Sequence, residues 1–186
     1  MSGRKMTLYP YYYSTDFDSR SKKFIEDRRG PSGAFSSVYL KYYNTKNRNE
    51  KENVIFKLTD WDEDELFGLY FNFLIYKFYI YNQSLYPNSL RYLCKLHEFG
   101  EVQINNEGKK YYAYMDGCGK PLNEICKIII SLSIKLIKDI LLQTLESLKL
   151  IHDLDYLHLD IKDPNFLFVS PSHHELYIKI IDFGMI

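Results

Sequence analysis

The chain has 186 residues with 24 basic and 24 acidic side chains, so its formal net charge is zero. That balance gives no electrostatic ground for a nucleic-acid or membrane partner, and any partner has to be argued from a site. Three cysteines, Cys94, Cys118 and Cys126, lie at no metal-binding spacing. Their odd number in a chain without a signal peptide predicts reduced, structural thiols in an intracellular, cytoplasmic protein. The most apolar run, Ile128 to Ile151, is interrupted by Lys135, Lys138, Asp139, Gln143, Glu146 and Lys149. Those groups would be costly in lipid, so the run predicts a buried amphipathic helix and no membrane span.

In chain order, Met1 to Arg20 carries Tyr9, Tyr11, Tyr12 and Tyr13 around Pro10 with no clear period, and reads as an extension. The stretch from Arg29 to Leu40 opens with the turn-forming Gly30-Pro31-Ser32-Gly33. After the charged, Asn-rich segment 44–53, Asn53 to Leu58 reads as a strand that carries Lys57. The acidic run Asp60 to Glu65 is a good helix start, because carboxylates favour the positive end of the dipole, and the apolar body runs from Leu66 to Tyr81. Arg91 to Val102 and Lys110 to Met115 read as two strands around the turn Asn105-Asn106-Glu107-Gly108. From Ser133 onward, Ile134, Ile137, Leu141, Leu145 and Leu148 recur at helical spacing.

The stretch Leu157 to Phe168, closed by Ile180 to Gly184, concentrates the chemistry. Asp160 is suited to orienting a hydroxyl nucleophile, and Lys162 and Asn165 follow at distances that suit charge neutralisation and metal holding. Asp182 would supply a second metal ligand. Phe166 to Val169 and Leu176 to Ile180, separated by the breaker run Ser170 to His174, read as a hairpin that brings Asn165 and Asp182 to one magnesium site.

This arrangement resembles the protein kinase catalytic loop H-x-D-x-x-x-x-N and the metal-binding D-F-G, with His158, Asp160, Asn165, Asp182, Phe183 and Gly184 matching. The resemblance implies an α+β, protein-kinase-like fold: residues 1–24 an N-terminal extension, 25–115 a small β-rich lobe, 116–122 the linker and 123–186 part of the helical large lobe. It further implies ATP and magnesium as cofactors. Gly30, Ser32, Gly33 and Val38 would surround the nucleotide, and Lys57 would hold its α- and β-phosphates. Met115 would sit behind the adenine, with the Asp116 carbonyl and the Cys118 amide on its edge. Asp160 and Lys162 would be catalytic, Asn165 and Asp182 the metal ligands, and His158 structural. Met115-Asp116-x-x-Gly119-x-x-Leu122, Asn165-Phe166-Leu167 and Ile180 to Gly184 narrow the resemblance to the casein kinase I and vaccinia-related branch.

Departures accompany the match. Against G-x-G-x-x-G-x-V the first glycine falls on Pro31 and the third on Ser36; Leu159 replaces the usual arginine; Lys162-Asp163-Pro164-Asn165 inverts the usual order. The glutamate that pairs with the strand lysine is expected near Phe71 or Asn72, where there is no acid; Glu65, the nearest candidate, is about two turns early, so either it reaches Lys57 through a shifted helix or the pair is missing. The chain stops two residues past Gly184, so the resemblance covers about the first two thirds of a kinase domain. On that footing the long helix should keep an apolar face exposed, and residues 1–186 alone should transfer little phosphate. The implied function is serine/threonine protein kinase, with a protein substrate and a partner chain that could complete the large lobe. The alternative is a catalytically dead, partner-binding kinase-like module.

Overall fold

The computed structural model describes residues 6–13, 29–32, 36–44, 51–104, 108–117, 119–128, 133–172 and 175–183; for 6, 13, 29–32, 36–44, 51–53, 126–128, 170–172 and 175–176 only backbone is described. Gly33, Cys118 and Gly184 lie outside the described residues. The chain divides into two compact units, residues 1–69 with 95–117 and residues 70–94 with 118–186. Residues 70–94, expected within the 25–115 segment, therefore group with the later part of the chain.

The first unit is built on a six-stranded antiparallel sheet in the order β1-β5-β6-β4-β3-β2. Its strands are β1 Met6–Tyr13, β2 Arg29–Ser32, β3 Ser36–Asn44, β4 Lys51–Thr59, β5 Leu96–Ile104 and β6 Gly108–Asp116. The sequence pattern shows β1 only as part of an extension. It is an edge strand, pairing Met6–Tyr13 with Glu98–Ile104, and its register breaks between Pro10 and Tyr12. The proline has no N–H for the ladder, which confines it to such an edge. Opposite it stands Gly100, where an added Cβ would lie 2.2 Å from the Tyr9 carbonyl oxygen, so only glycine lets β1 approach this closely. Val54, Phe56, Leu58, Val102, Ile104, Tyr112 and Tyr114 form this unit's core.

β5 begins at Leu96, whereas the sequence predicts a strand from Arg91. Ser89–Tyr92 instead form a 3-10 turn, and Leu93 bridges in parallel to Ile180. Apolar alternation cannot tell a strand from a buried connection.

The helix α1, Glu63–Tyr81, starts with three acids in its first turn, and the Asp62 carboxylate accepts from the Asp64 N–H at 2.8 Å. The division between the units falls within it. In the second unit Phe71, Ile75 and Tyr79 of α1 join a core with Ile140, Leu148, Leu150, Ile151, Phe166, Ile178, Ile180 and Phe183. The Tyr79 hydroxyl, fully buried, donates to the Leu150 carbonyl at 2.7 Å. Burial pushes that phenol's pKa up to about 12.

Two further helices belong to this unit, α2 Leu122–Ile128 and α3 Ile134–His152. Ser133 caps α3, its hydroxyl accepting from the Leu136 N–H at 3.2 Å. The expected helix is therefore present from 134, but of the stripe at helical spacing only Leu148 is buried. Ile134, Ile137, Leu141 and Leu145 are exposed, and the buried line is Ile140, Ser147, Leu148, Leu150 and Ile151. The expectation of an exposed apolar face on this helix thus agrees with what is seen.

Three strands complete the unit, β7 Lys120–Pro121, β8 Phe166–Ser172 and β9 Glu175–Ile180, in the order β7-β8-β9. Gly119 allows β7 to close on β8, since a Cβ there would lie 1.7 Å from the Phe168 carbonyl oxygen. Cys94 is disulfide-bonded, which corrects the expectation of reduced thiols, and the side chains of Cys118 and Cys126 are outside the description. Three cysteines without metal spacing leave pairing to proximity in the fold, which the chain order does not reveal. Among the described residues no helix is long and apolar enough to cross a membrane.

Candidate active site

In the second unit the loop 157–165 is held by its own polar groups. His158 is buried; its Nε2 lies 3.0 Å from the Ile181 carbonyl oxygen and its Nδ1 3.3 Å from the Asp160 nitrogen. A carbonyl only accepts and an amide N–H only donates, so both bonds are made by the tautomer protonated at Nε2. The ring is a brace between the loop and the segment after β9, which matches a structural part for this residue.

Asn165 ends the short 3-10 turn Asp163–Asn165 and is buried. Its amide nitrogen donates to the Asp160 carbonyl at 2.9 Å and to Asp160 Oδ2 at 3.0 Å. With the nitrogen so engaged, the amide's orientation is fixed and its oxygen is the atom left to act as a ligand. The Ile181 N–H donates to the Asn165 carbonyl at 3.0 Å, extending the β8–β9 register beyond Phe166↔Ile180. The hairpin therefore sets Asn165 and the Ile181-Asp182 segment at one end of the β8–β9 pair, as its sequence pattern predicts.

Asp182 has φ 69°, the left-handed region that costs a non-glycine residue about 1–3 kcal/mol. The next residue explains what holds it there. Phe183 is buried, its ring centroid 5.5 Å from that of Phe71 and 5.6 Å from that of His158. Seating this ring in the core fixes the chain on which the Asp182 carboxylate is carried.

Lys162 lies 2.5 Å from Asp160 Oδ2. Its ammonium holds the Asp160 carboxyl below the usual carboxylate range, helped by the Asn165 amide and opposed by partial burial. Asp160 is therefore ionised at neutral pH and accepts from Lys162 and Asn165 at once. A carboxylate in this state can orient a hydroxyl, and the neighbouring ammonium can meet a developing negative charge.

Two oxygen donors, the Asn165 amide and the Asp182 carboxylate, suit magnesium, which takes hard oxygen ligands and usually only one or two from protein beside phosphate and water. Among the described residues no group of three or more His, Cys, Asp or Glu side chains could hold a metal by itself. The donor set thus fits a cation that arrives with a phosphate better than a fully protein-caged one.

The first unit carries the other predicted residues. Lys57, on β4, has its Nζ 3.7 Å from Glu65 Oε2, both side chains largely shielded. Glu65 stands in the first turn of α1, and the region expected to hold an acid is otherwise filled: Phe71 and Asn72 are both buried. The open question of the lysine's partner is answered by the helix starting at Glu63, which puts its first turn beside the β4 strand. Val38 is directly opposite Lys57 in the β3–β4 register. Gly30 and Ser32 lie in β2, which pairs with β3 through Arg29↔Tyr39 and Ser32↔Ser37. Met115 pairs with Ile55 and Leu96 near the end of β6, and Asp116 is its last residue. His97, to which the sequence assigns no function, lies 2.8 Å from the Asp116 carboxylate. A lone histidine in a strand gives no signal that would have singled it out.

Residues 82–186 match the protein kinase domain family, a span that excludes Lys57 and the 30–38 region. The serine/threonine-protein kinase PknA of Mycobacterium tuberculosis (strain ATCC 25618 / H37Rv) is 35% identical over 94 residues, which is 50% of this chain and 21% of that protein. PknA of Mycobacterium bovis (strain ATCC BAA-935 / AF2122/97) matches with the same figures. The matched span is thus about a fifth of the length of these curated relatives. A family match over more than half of the chain, on the same segment whose loop is braced by His158 and whose Phe183 is buried in the core, places this chain in the protein kinase family.

Proposed function

We propose that the chain binds Mg-ATP and serves serine/threonine phosphoryl transfer to a protein hydroxyl. The observation that carries this is the Asp160 carboxylate, ionised and fixed by Lys162 and Asn165 in one hydrogen-bonded loop. Asp160 orients the substrate hydroxyl, Lys162 steadies the transferred phosphoryl group, and Asn165 and Asp182 hold magnesium. Bound magnesium would neutralise phosphate charge; catalysis is then mostly positioning and electrostatics. Lys57, oriented by Glu65, anchors the nucleotide's phosphates, and Gly30, Ser32, Gly33 and Val38 surround it. Met115, the Asp116 carbonyl and the Cys118 amide take the adenine. The linker pattern around Met115-Asp116 and Asn165-Phe166-Leu167 supports a place in the casein kinase I and vaccinia-related branch, and the similarity to the serine/threonine-protein kinase PknA supports the serine/threonine class.

The test is transfer of radiolabelled phosphate from ATP to a serine-rich acidic protein. It is run with the chain itself and with the chain joined to the substrate-presenting part of a kinase large lobe. Transfer is expected in at least one format, and Asp160→Asn should lower it by about 100-fold or more. Mg-ATP binding without any Asp160-dependent transfer in either format would replace the enzyme by a partner-binding module.

A further inference from the structure

The end of β6 carries an arrangement that the motif pattern does not announce. β5 and β6 pair at Leu96↔Met115 and again at Glu98↔Tyr114, so the step from Leu96 to Glu98 holds one residue more than its partner strand. His97 is that residue. A bulge takes its residue out of the ladder and re-aims the side chain, and such bulges are enriched beside functional sites. Here the re-aimed imidazole is buried at 5% exposure, with Nε2 2.8 Å from Asp116 Oδ1. A carboxylate only accepts, so Nε2 carries the proton in this bond. The backbone on the other side of Leu96 acts on the same residue, for the Asp116 N–H donates to the Lys95 carbonyl at 3.0 Å. Asp116 is thus tied through its amide and its side chain to residues on either side of Leu96. These ties hold the Asp116 Cα, on which the following peptide with its carbonyl is carried.

We propose that His97 is a positioning residue for adenine recognition, holding Asp116 so that its carbonyl meets the 6-amino group of the base. The inference rests on the reading of Asp116 as the adenine-edge residue. It adds a residue that touches no nucleotide itself. A surface aspartate with no such tie would be free to rotate, and the peptide that follows it would not be held in one orientation.

The experiment compares binding of ATP with binding of purine riboside triphosphate, which lacks the 6-amino group, by titration calorimetry in magnesium. His97→Ala should weaken ATP about five- to tenfold, the range of one net hydrogen bond, and leave the purine riboside triphosphate within about twofold. His97→Gln, which keeps an N–H donor at similar reach, should restore most of the ATP affinity. Asp116→Ala, at a partly exposed position, should match His97→Ala, and the double variant should be no worse than either alone. Equal losses for both triphosphates, no loss at all, or losses that multiply in the double variant would overturn the inference while leaving ATP binding intact. If the unmodified chain binds neither triphosphate, the reading of the site falls and this inference with it.

Discussion

The loop 158–165 and the lysine on β4 are held by different means. In the loop, Asn165 and Lys162 hold Asp160 over a few residues, and His158 ties the loop to Ile181 after β9. Lys57 instead depends on where α1 begins, because Glu65 reaches it only from that helix's first turn. The loop's geometry is local and tight, with contacts of 2.5 to 3.3 Å. The lysine's is longer, at 3.7 Å. A site whose parts are local is robust to changes elsewhere, whereas one that depends on helix placement is adjustable.

That contrast can be broken by substitution. Lys57→Ala should weaken Mg-ATP by about tenfold or more, since hydrogen bonds to charged groups are worth about 1.5–3 kcal/mol. Glu65→Ala should cost less than about fivefold, in keeping with an ion pair of about 0.2–1 kcal/mol. Titration calorimetry of both variants checks this, and an equal loss in the two would mean that the lysine has no useful position without its glutamate.

The same contrast explains what was legible in the sequence. The loop's residues stand at fixed spacing, so His158, Asp160, Asn165 and Asp182 could be named, and the hairpin that gathers the last two followed from Ser170-Pro171-Ser172 between apolar runs. Glu65 is legible as the nearest candidate for the lysine's partner, but the choice between it and no partner is not, because spacing along a chain does not say which helix turn meets a strand. On α3, Ile134, Ile137, Leu141 and Leu145 have the period of a buried face and are exposed. Apolar residues on both sides of that helix leave period alone unable to choose, and Ile140, Leu148 and Ile151 turn inward because the β8–β9 pair and α1 are there to receive them. His97 and the bulge beneath it were silent, since a bulge is a property of two strands and the sequence shows only one at a time.

A smaller effect separates the scaffold from the site. Tyr79→Phe removes the buried bond to Leu150 and should lower stability by about 1 kcal/mol, or about 2–4 °C in Tm, without altering nucleotide affinity. Thermal unfolding with and without Mg-ATP reads both quantities. A changed affinity would show that the α1–α3 packing reaches the site.

Smallest is the acid limb of stability. The Asp160 pKa is lowered in the folded chain, so its contribution is complete above the unfolded value of about 3.9 and is lost as pH falls through the lower folded value. Unfolding followed through the acid range should show a shallower limb for Asp160→Asn. Parallel limbs would mean that Lys162 does not hold Asp160 in solution.

The central claim is that Asp182 brings magnesium to a nucleotide bound by this chain, and ligand-induced stabilisation tests it most directly. A ligand that binds only the folded state adds about 2.7 kcal/mol at a hundred times its Kd. Mg-ATP should therefore raise Tm, ATP with a chelator should raise it less, and Asp182→Ala should erase the difference while leaving the adenosine response unchanged. No shift at millimolar Mg-ATP, or a magnesium-dependent shift that survives Asp182→Ala, would contradict the account.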